Sequence, residues 1–195
     1  MMAAPAKEEK ERVCVTGAGG FVGSWIVKLL LSSDYLVHGT VRNPQYAHLS
    51  KLEKASENLK LFKADLLDYN SLCSAVAGCS GIFHVASPVI PSASVELIEP
   101  AVKGTLNVLS ACLEAKVKRV VVVSSISAVF VSPDWPKGQV KDETCWSAPE
   151  YMKATKSIGY NYWTVVDVRD VAEAVLHVNK KSEAGERYIC TADAI

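Results

Sequence analysis

Gly17, Gly20 and Gly23 recur every third residue within Thr16-Gly17-Ala18-Gly19-Gly20-Phe21-Val22-Gly23, between an apolar run and a stretch of helical periodicity. That pattern suits a dinucleotide. Gly17 permits a tight turn out of a strand, Gly20 lets a diphosphate approach backbone N–H groups at the positive end of a helix, and Gly23 lets helix and sheet pack closely. A glycine-rich turn alone is a weak signal, but a strand before it, a helix after it and a second strand ending at Arg42 make the reading strong. Position 42 lies about twenty residues past the glycines, where an acid would select the ribose 2′-hydroxyl of NAD. A guanidinium there suits the 2′-phosphate of NADP, because arginine forms charge-assisted pairs with phosphate. The competing readings are a plain connecting loop for the glycines and a solvated surface cation for Arg42.

Holding these groups in place requires a regular scaffold. Apolar runs rich in β-branched residues read as buried strands over Arg12 to Thr16, Tyr35 to Val41, Leu59 to Ala64, Gly81 to Val85 and Lys118 to Ser124. Helical patterns separate them. The first places Val22, Ile26, Leu29 and Leu30 on one face, and the fourth, about Val95 to Ala115, places Ile98, Val102, Leu106 and Leu109 there. Strict alternation implies parallel strands with right-handed crossovers, so the expected fold is α/β, a doubly wound parallel sheet of the Rossmann type. After Ser125, Pro133, Pro136, Gly138 and Pro149 mark a loop region. Further on, Asp170 and Glu173 resemble a capping box, with Val171, Ala174, Val175 and Val178 as the apolar stripe of a helix to about Lys180. The expected division is a polar tail over 1–11, a dinucleotide-binding domain over 12–156 and a residual segment over 157–195.

Bulk properties narrow the function. Twenty-one basic residues balance twenty-one acidic ones, so no long-range field favours nucleic acid or an anionic membrane surface. The amino end is short and polar, which gives no signal or membrane-spanning stretch and a cytoplasmic expectation. Cys14, Cys73, Cys79, Cys112, Cys145 and Cys190 form neither a Cys-x-x-Cys pair nor a cluster with histidine, so they read as buried or idle thiols, with no metal expected.

Several motifs then agree in order and spacing: the run from Val13 to Phe21, Gly39-Thr40-Val41-Arg42-Asn43-Pro44, Lys63-Ala64-Asp65-Leu66, Phe83-His84-Val85-Ala86-Ser87-Pro88, Glu99-Pro100-Ala101-Val102 and Ser124-Ser125-Ile126. Together they resemble plant cinnamoyl-CoA reductases and their relatives among the extended short-chain dehydrogenase/reductases, almost continuously from Arg12 to Lys156. The resemblance implies that Gly17, Ala18, Gly19, Gly20, Phe21 and Val22 hold the diphosphate of NADP, Arg42 its 2′-phosphate, and Asp65 and Leu66 its adenine. It further implies that Val85, Ala86 and Ser87 line the cofactor. A carboxylate at a strand's carboxyl end can accept from the adenine amino group, although Asp65 could instead cap the next helix, as could Asp68. The lysine that follows the arginine in the family has no counterpart in the shorter loop from Asn43 to Ala47.

Family members pass a hydride to a carbonyl carbon while a tyrosine protonates the oxygen, a lysine lowers that tyrosine's pKa and a serine hydrogen-bonds the oxygen. Ser125 matches the serine, with Ser124 as runner-up and simple satisfaction of a strand end as the bland alternative. The tyrosine and lysine should stand as Tyr-x-x-x-Lys, one helical turn apart, and none of the seven tyrosines has a lysine four residues on. Lys156 and Tyr160 have the spacing in reverse, with Gly159 between them. Family-like text stops near Lys156 and resumes from about Tyr162 through Ala172 with a part normally much further along, so the resemblance implies an internal truncation and a shortened carboxyl end. Three readings stay open: a working NADPH-dependent reductase of a thioester, aldehyde or ketone with phenylpropanoid-type substrates among the candidates, a non-catalytic NADP-binding or partner-binding isoform, and a misassembled frame of low stability. The oligomeric state is open too.

Overall fold

Strands with apolar side chains on both faces must be covered twice, and the chain meets that demand with a parallel sheet between two helical layers. The structure, a computed structural model, describes residues 9–43, 47–88, 98–136, 138, 140–154, 165–181, 183 and 185–192. The strands are β1 (Arg12–Thr16), β2 (Leu36–Val41), β3 (Leu59–Lys63), β4 (Gly81–His84) and β5 (Arg119–Val122), in the spatial order β3-β2-β1-β4-β5, all parallel. The order reverses at β1, so a crevice opens where β1 and β4 end side by side, with Thr16 in register with His84.

Alternation along β1 feeds both layers. Val13 and Val15 join a cluster with Ile26, Val27 and Leu30 of α1 (Phe21–Ser32), while Cys14 joins Leu72, Ala75 and Val76 of α4 (Tyr69–Val76). Two short helices, α2 (Ala47–Ser50) and α3 (Ala55–Asn58), precede β3. Beside α4 lies α5 (Ile98–Glu114); residues 95–97, where that helix was expected to begin, fall outside the described set. Its orientation departs from expectation. Gly104, Val108, Ala111 and Cys112 are buried, whereas Ile98, Val102, Leu106 and Leu109 are exposed, together with Leu113 at 82%. Both faces are apolar, and the side with the small residues is the one that fits against α4 and the sheet.

An apolar stripe in water favours self-association. Leu106→Glu is therefore expected to reduce light scattering at high concentration while changing stability by no more than about 0.5 kcal/mol. A large fall in Tm would mean that the face is covered in solution.

Past β5 come α6 (Ser127–Phe130) and α7 (Pro149–Ala154), so Pro149 opens a helix, where its fixed φ and missing N–H suit the first position. The last helix, α8 (Val168–Lys180), starts a turn earlier than the expected box at Asp170 and Glu173. Asp167 is the cap, accepting from Arg169 N–H at 2.8 Å, and Asp170 lies within the first turn. Its buried face is Ala172, Leu176 and Asn179, with Val175 and Val178 flanking, a stripe rotated from the expected one. This helix packs on α1, and the Arg119 guanidinium on β5 donates to the carbonyls of Asn179 and Lys181 at its carboxyl end. All six cysteines are free. Burial raises the Cys14 thiol pKa and pushes Cys79 up to about 12 and Cys112 to about 11, which keeps them protonated; Cys190 is exposed.

Candidate dinucleotide-binding site

The glycine turn is held by its own backbone before any ligand arrives. Gly17 has φ +70, and a Cβ there would come within 3.0 Å of the Ala86 Cα, so both the turn and its contact with the β4 exit exclude a side chain. Three amides of the turn are consumed internally. Gly17 N–H donates to Thr40 Oγ1 at 3.2 Å, Ala18 N–H to the Thr40 carbonyl at 3.0 Å, and Gly20 N–H to the Gly17 carbonyl at 3.0 Å. Ligand-facing donors therefore come from the first turn of α1, where Phe21, Val22 and Gly23 precede the first intrahelical bond, from Ser24 N–H to the Gly20 carbonyl at 2.9 Å. That turn holds no acidic residue, and Gly20 caps it without a side chain, which leaves the positive helix end open to an anion. Gly23 approaches the turn rather than the sheet: a Cβ there would sit 2.2 Å from the Gly17 carbonyl oxygen.

A cleft of about 390 Å³ opens over the ends of β1, β2, β3 and β4. Of the residues implicated by sequence it is lined by Gly17, Gly19, Gly20, Arg42, Asp65, Leu66, Val85, Ala86 and Ser87. Ala18, Phe21 and Val22 stand apart from its lining. Ala18 is fully buried under the turn, the Phe21 side chain is 72% exposed, and Val22 packs against the core. Arg42 is exposed, with no hydrogen-bond or ion-pair partner among the described residues, so its five donors are available to a phosphate. Asp65 folds one carboxylate oxygen back onto Leu67 N–H at 2.9 Å, and Asp68 supplies the cap of α4 by accepting from Ser71 N–H. Leu66 is fixed through its carbonyl, which accepts from Asn107 Nδ2 of α5 at 2.8 Å.

Ser125 lies three residues past β5, exposed and outside the cleft lining, with its Oγ accepting from Ser127 N–H at 3.2 Å at the start of α6. Ser124 is exposed as well. Among the described tyrosines none lines the cleft. Tyr35 is raised by burial and Tyr69 by its hydrogen bond to Glu114, the direction opposite to that wanted of an acid poised near neutrality. Tyr46, Lys156, Tyr160 and Tyr162 lie outside the described residues.

Sequence reasoning missed the residues that brace this site. Thr40 holds the turn, and buried Thr16 and His84 meet beneath it, Thr16 Oγ1 to His84 Nδ1 at 2.8 Å. The available signal was a polar residue closing each of two otherwise apolar runs, Val13-Cys14-Val15-Thr16 and Ile82-Phe83-His84.

The model of the 3-beta hydroxysteroid dehydrogenase/isomerase family matches residues 14–162. Cinnamoyl-CoA reductase 1 of Petunia hybrida is 55% identical over 148 residues, which are 74% of this chain and 44% of that protein. Tetraketide alpha-pyrone reductase 1 of Arabidopsis thaliana is 47% identical over 154 residues, 75% of this chain and 47% of that protein. The chain thus spans under half the length of these curated relatives. Among solved structures, vestitone reductase from alfalfa superposes with a TM-score of 0.82 at 30% identity, covering 95% of this chain and 78% of that one, so at least part of the 13-residue α8 is included. With a family match over most of its length and a parallel Rossmann-type sheet shared with a solved reductase, the chain belongs to the 3-beta hydroxysteroid dehydrogenase/isomerase family and is similar within it to the plant cinnamoyl-CoA reductases.

Proposed function

We propose that this chain binds NADP(H) as a cytoplasmic member of a reductase lineage acting on cinnamoyl-CoA-like thioesters, aldehydes or ketones. One observation carries the reading: Arg42, without a hydrogen-bond or ion-pair partner among the described residues, shares a cleft with the glycine turn at a helix start that no side chain caps. In it the first-turn amides of α1 receive the diphosphate, Arg42 pairs with the 2′-phosphate, Asp65 and Leu66 hold the adenine, and Val85, Ala86 and Ser87 wall the remainder. When bound, NADPH supplies a hydride for a carbonyl carbon, and Ser125 is the candidate hydrogen-bond donor to the carbonyl oxygen.

A second reading, binding without turnover, is favoured by the want of a Tyr-x-x-x-Lys pair and by the absence of any cleft-lining tyrosine among the described residues. It treats 12–156 as the cofactor-binding domain and 157–195 as the remnant beyond an internal deletion. Calorimetry is expected to show NADPH binding more tightly than NADH, with no NADPH oxidation above background on adding cinnamoyl-CoA thioesters or cinnamaldehydes. Oxidation above background would restore the working reductase, and no affinity for either coenzyme would reject both readings.

A further inference from the structure

Thr16, His84 and Thr105 form a buried chain whose protons can be placed by counting. Thr16 and His84 end the adjacent strands β1 and β4 and are 0% and 3% exposed, and Thr105 lies on α5. Thr16 Oγ1 accepts from both Val85 N–H and Ala86 N–H, each at 3.1 Å, and lies 2.8 Å from His84 Nδ1. A hydroxyl has two acceptor lone pairs and one proton. Both lone pairs are used, so the Thr16 proton must go to His84 Nδ1, which must therefore be unprotonated. The ring proton then sits on Nε2 and is donated to Thr105 Oγ1 at 3.3 Å, and Thr105 passes its own proton to the Ala101 carbonyl at 2.9 Å. Only the neutral Nε2–H form of the ring satisfies every donor and acceptor in this chain.

The consequence reaches the cleft. Val85 and Ala86 line it, and Ala86 stands against Gly17, where a single added carbon would touch. We infer that His84 is a positioning residue for dinucleotide binding: by accepting from Thr16 it keeps both Thr16 lone pairs on Val85 and Ala86, which sets the wall that faces the glycine turn. The inference rests on the cleft being the NADP(H) site. Removing the acceptor from the ring position turns the Thr16 hydroxyl proton elsewhere, and the two amides lose their fixed partner. The opposite end of the chain anchors the ring to α5, so helix, strand exit and turn are held as one unit.

The test measures affinity for NADPH and for adenosine 2′,5′-bisphosphate, which carries the phosphate assigned to Arg42 but no diphosphate bridge, well below each variant's Tm. His84→Phe keeps an aromatic ring without an acceptor and is expected to weaken NADPH binding roughly 10-fold to 100-fold, with the bisphosphate changed by no more than about two-fold. His84→Asn, which can still accept from Thr16, should recover most of the loss. Thr16→Val should repeat the defect and Thr16→Ser should largely repair it. In the unaltered protein the nitrogen-15 shifts of the His84 ring are expected to show a bare Nδ1 and a protonated Nε2, a readout independent of whether the variants fold. A ring protonated at Nδ1, or His84→Phe binding NADPH as well as the unaltered protein, would overturn the inference. An unaltered protein that binds neither probe would instead overturn the cofactor site itself.

Discussion

Arg42→Asp is expected to reverse the coenzyme preference, moving the NADPH-to-NADH affinity ratio by roughly 10²–10³-fold, or about 3–4 kcal/mol. Two effects add. A guanidinium–phosphate bond of about 1.5–3 kcal/mol is lost, and a carboxylate then faces a phosphate of the same sign. Toward NAD the change works the other way, because a carboxylate at the end of the second strand can accept from the ribose 2′-hydroxyl. In the proposed site Arg42 would carry the discrimination alone: no lysine stands between Asn43 and Ala47, and no acid among the described residues holds the guanidinium. Since Arg42 is exposed, the NADPH-to-NADH affinity ratio of the unaltered protein should fall as salt rises, whereas that of the Arg42→Asp protein should rise as its like-charge repulsion is screened. Titration of both coenzymes at two ionic strengths checks this. A ratio unmoved by the substitution would show that Arg42 is a solvated surface cation.

The strands and the glycine turn were legible because their signals are local. A run such as Val13-Cys14-Val15 followed by glycines can hardly be anything but a buried strand entering a turn, and the observed β1 has the expected bounds. The orientation of α5 was not legible, because periodicity reports that a face is apolar and not which of two apolar faces is turned inward. Ile98, Val102, Leu106 and Leu109 are the larger side chains, yet Gly104, Ala111 and Cys112 permit the closer approach to α4 and the sheet, and packing selected them. The start of α8 was misplaced for a related reason: Asp167 and Asp170 are both plausible caps three residues apart, and only the structure shows which carboxylate receives an amide. At the site, Gly17, Gly20 and Arg42 of the cleft lining follow from motif and spacing, and Gly19, Asp65, Leu66, Val85, Ala86 and Ser87 from the family resemblance, whereas Ala18, Phe21, Val22 and Ser125 line no part of it. The buried bonds of Thr16, Thr40 and His84 could not, since they join strands far apart in sequence and no spacing rule records them.

Gly23→Ala should damage both the fold and the site, and the geometry says why the two losses go together. In an ordinary helix the change would stabilise, by about 1 kcal/mol of backbone propensity. Here the new methyl would lie 2.2 Å from the Gly17 oxygen and 3.0 Å from its carbon, a clash with backbone that no rotamer relieves. Overpacking of this kind costs about 1–3 kcal/mol, which outweighs the propensity gain. The atom displaced is also the acceptor for Gly20 N–H, so relief of the clash opens the turn and moves the start of α1 away from the cleft. Loss of two charge-assisted bonds to the diphosphate, at about 1.5–3 kcal/mol each, predicts NADPH affinity lower by roughly two orders of magnitude or more. Gly20→Ala separates the two effects. Its Cβ would meet the Gly17 oxygen at 3.3 Å, and Gly20 already has an ordinary extended φ of −77, so Tm should move little while the methyl in the cleft lining still weakens binding. If thermal melts and calorimetry found Gly23→Ala as stable as the unaltered protein, the close approach of α1 to its own entry turn would not be what holds the first-turn amides in place.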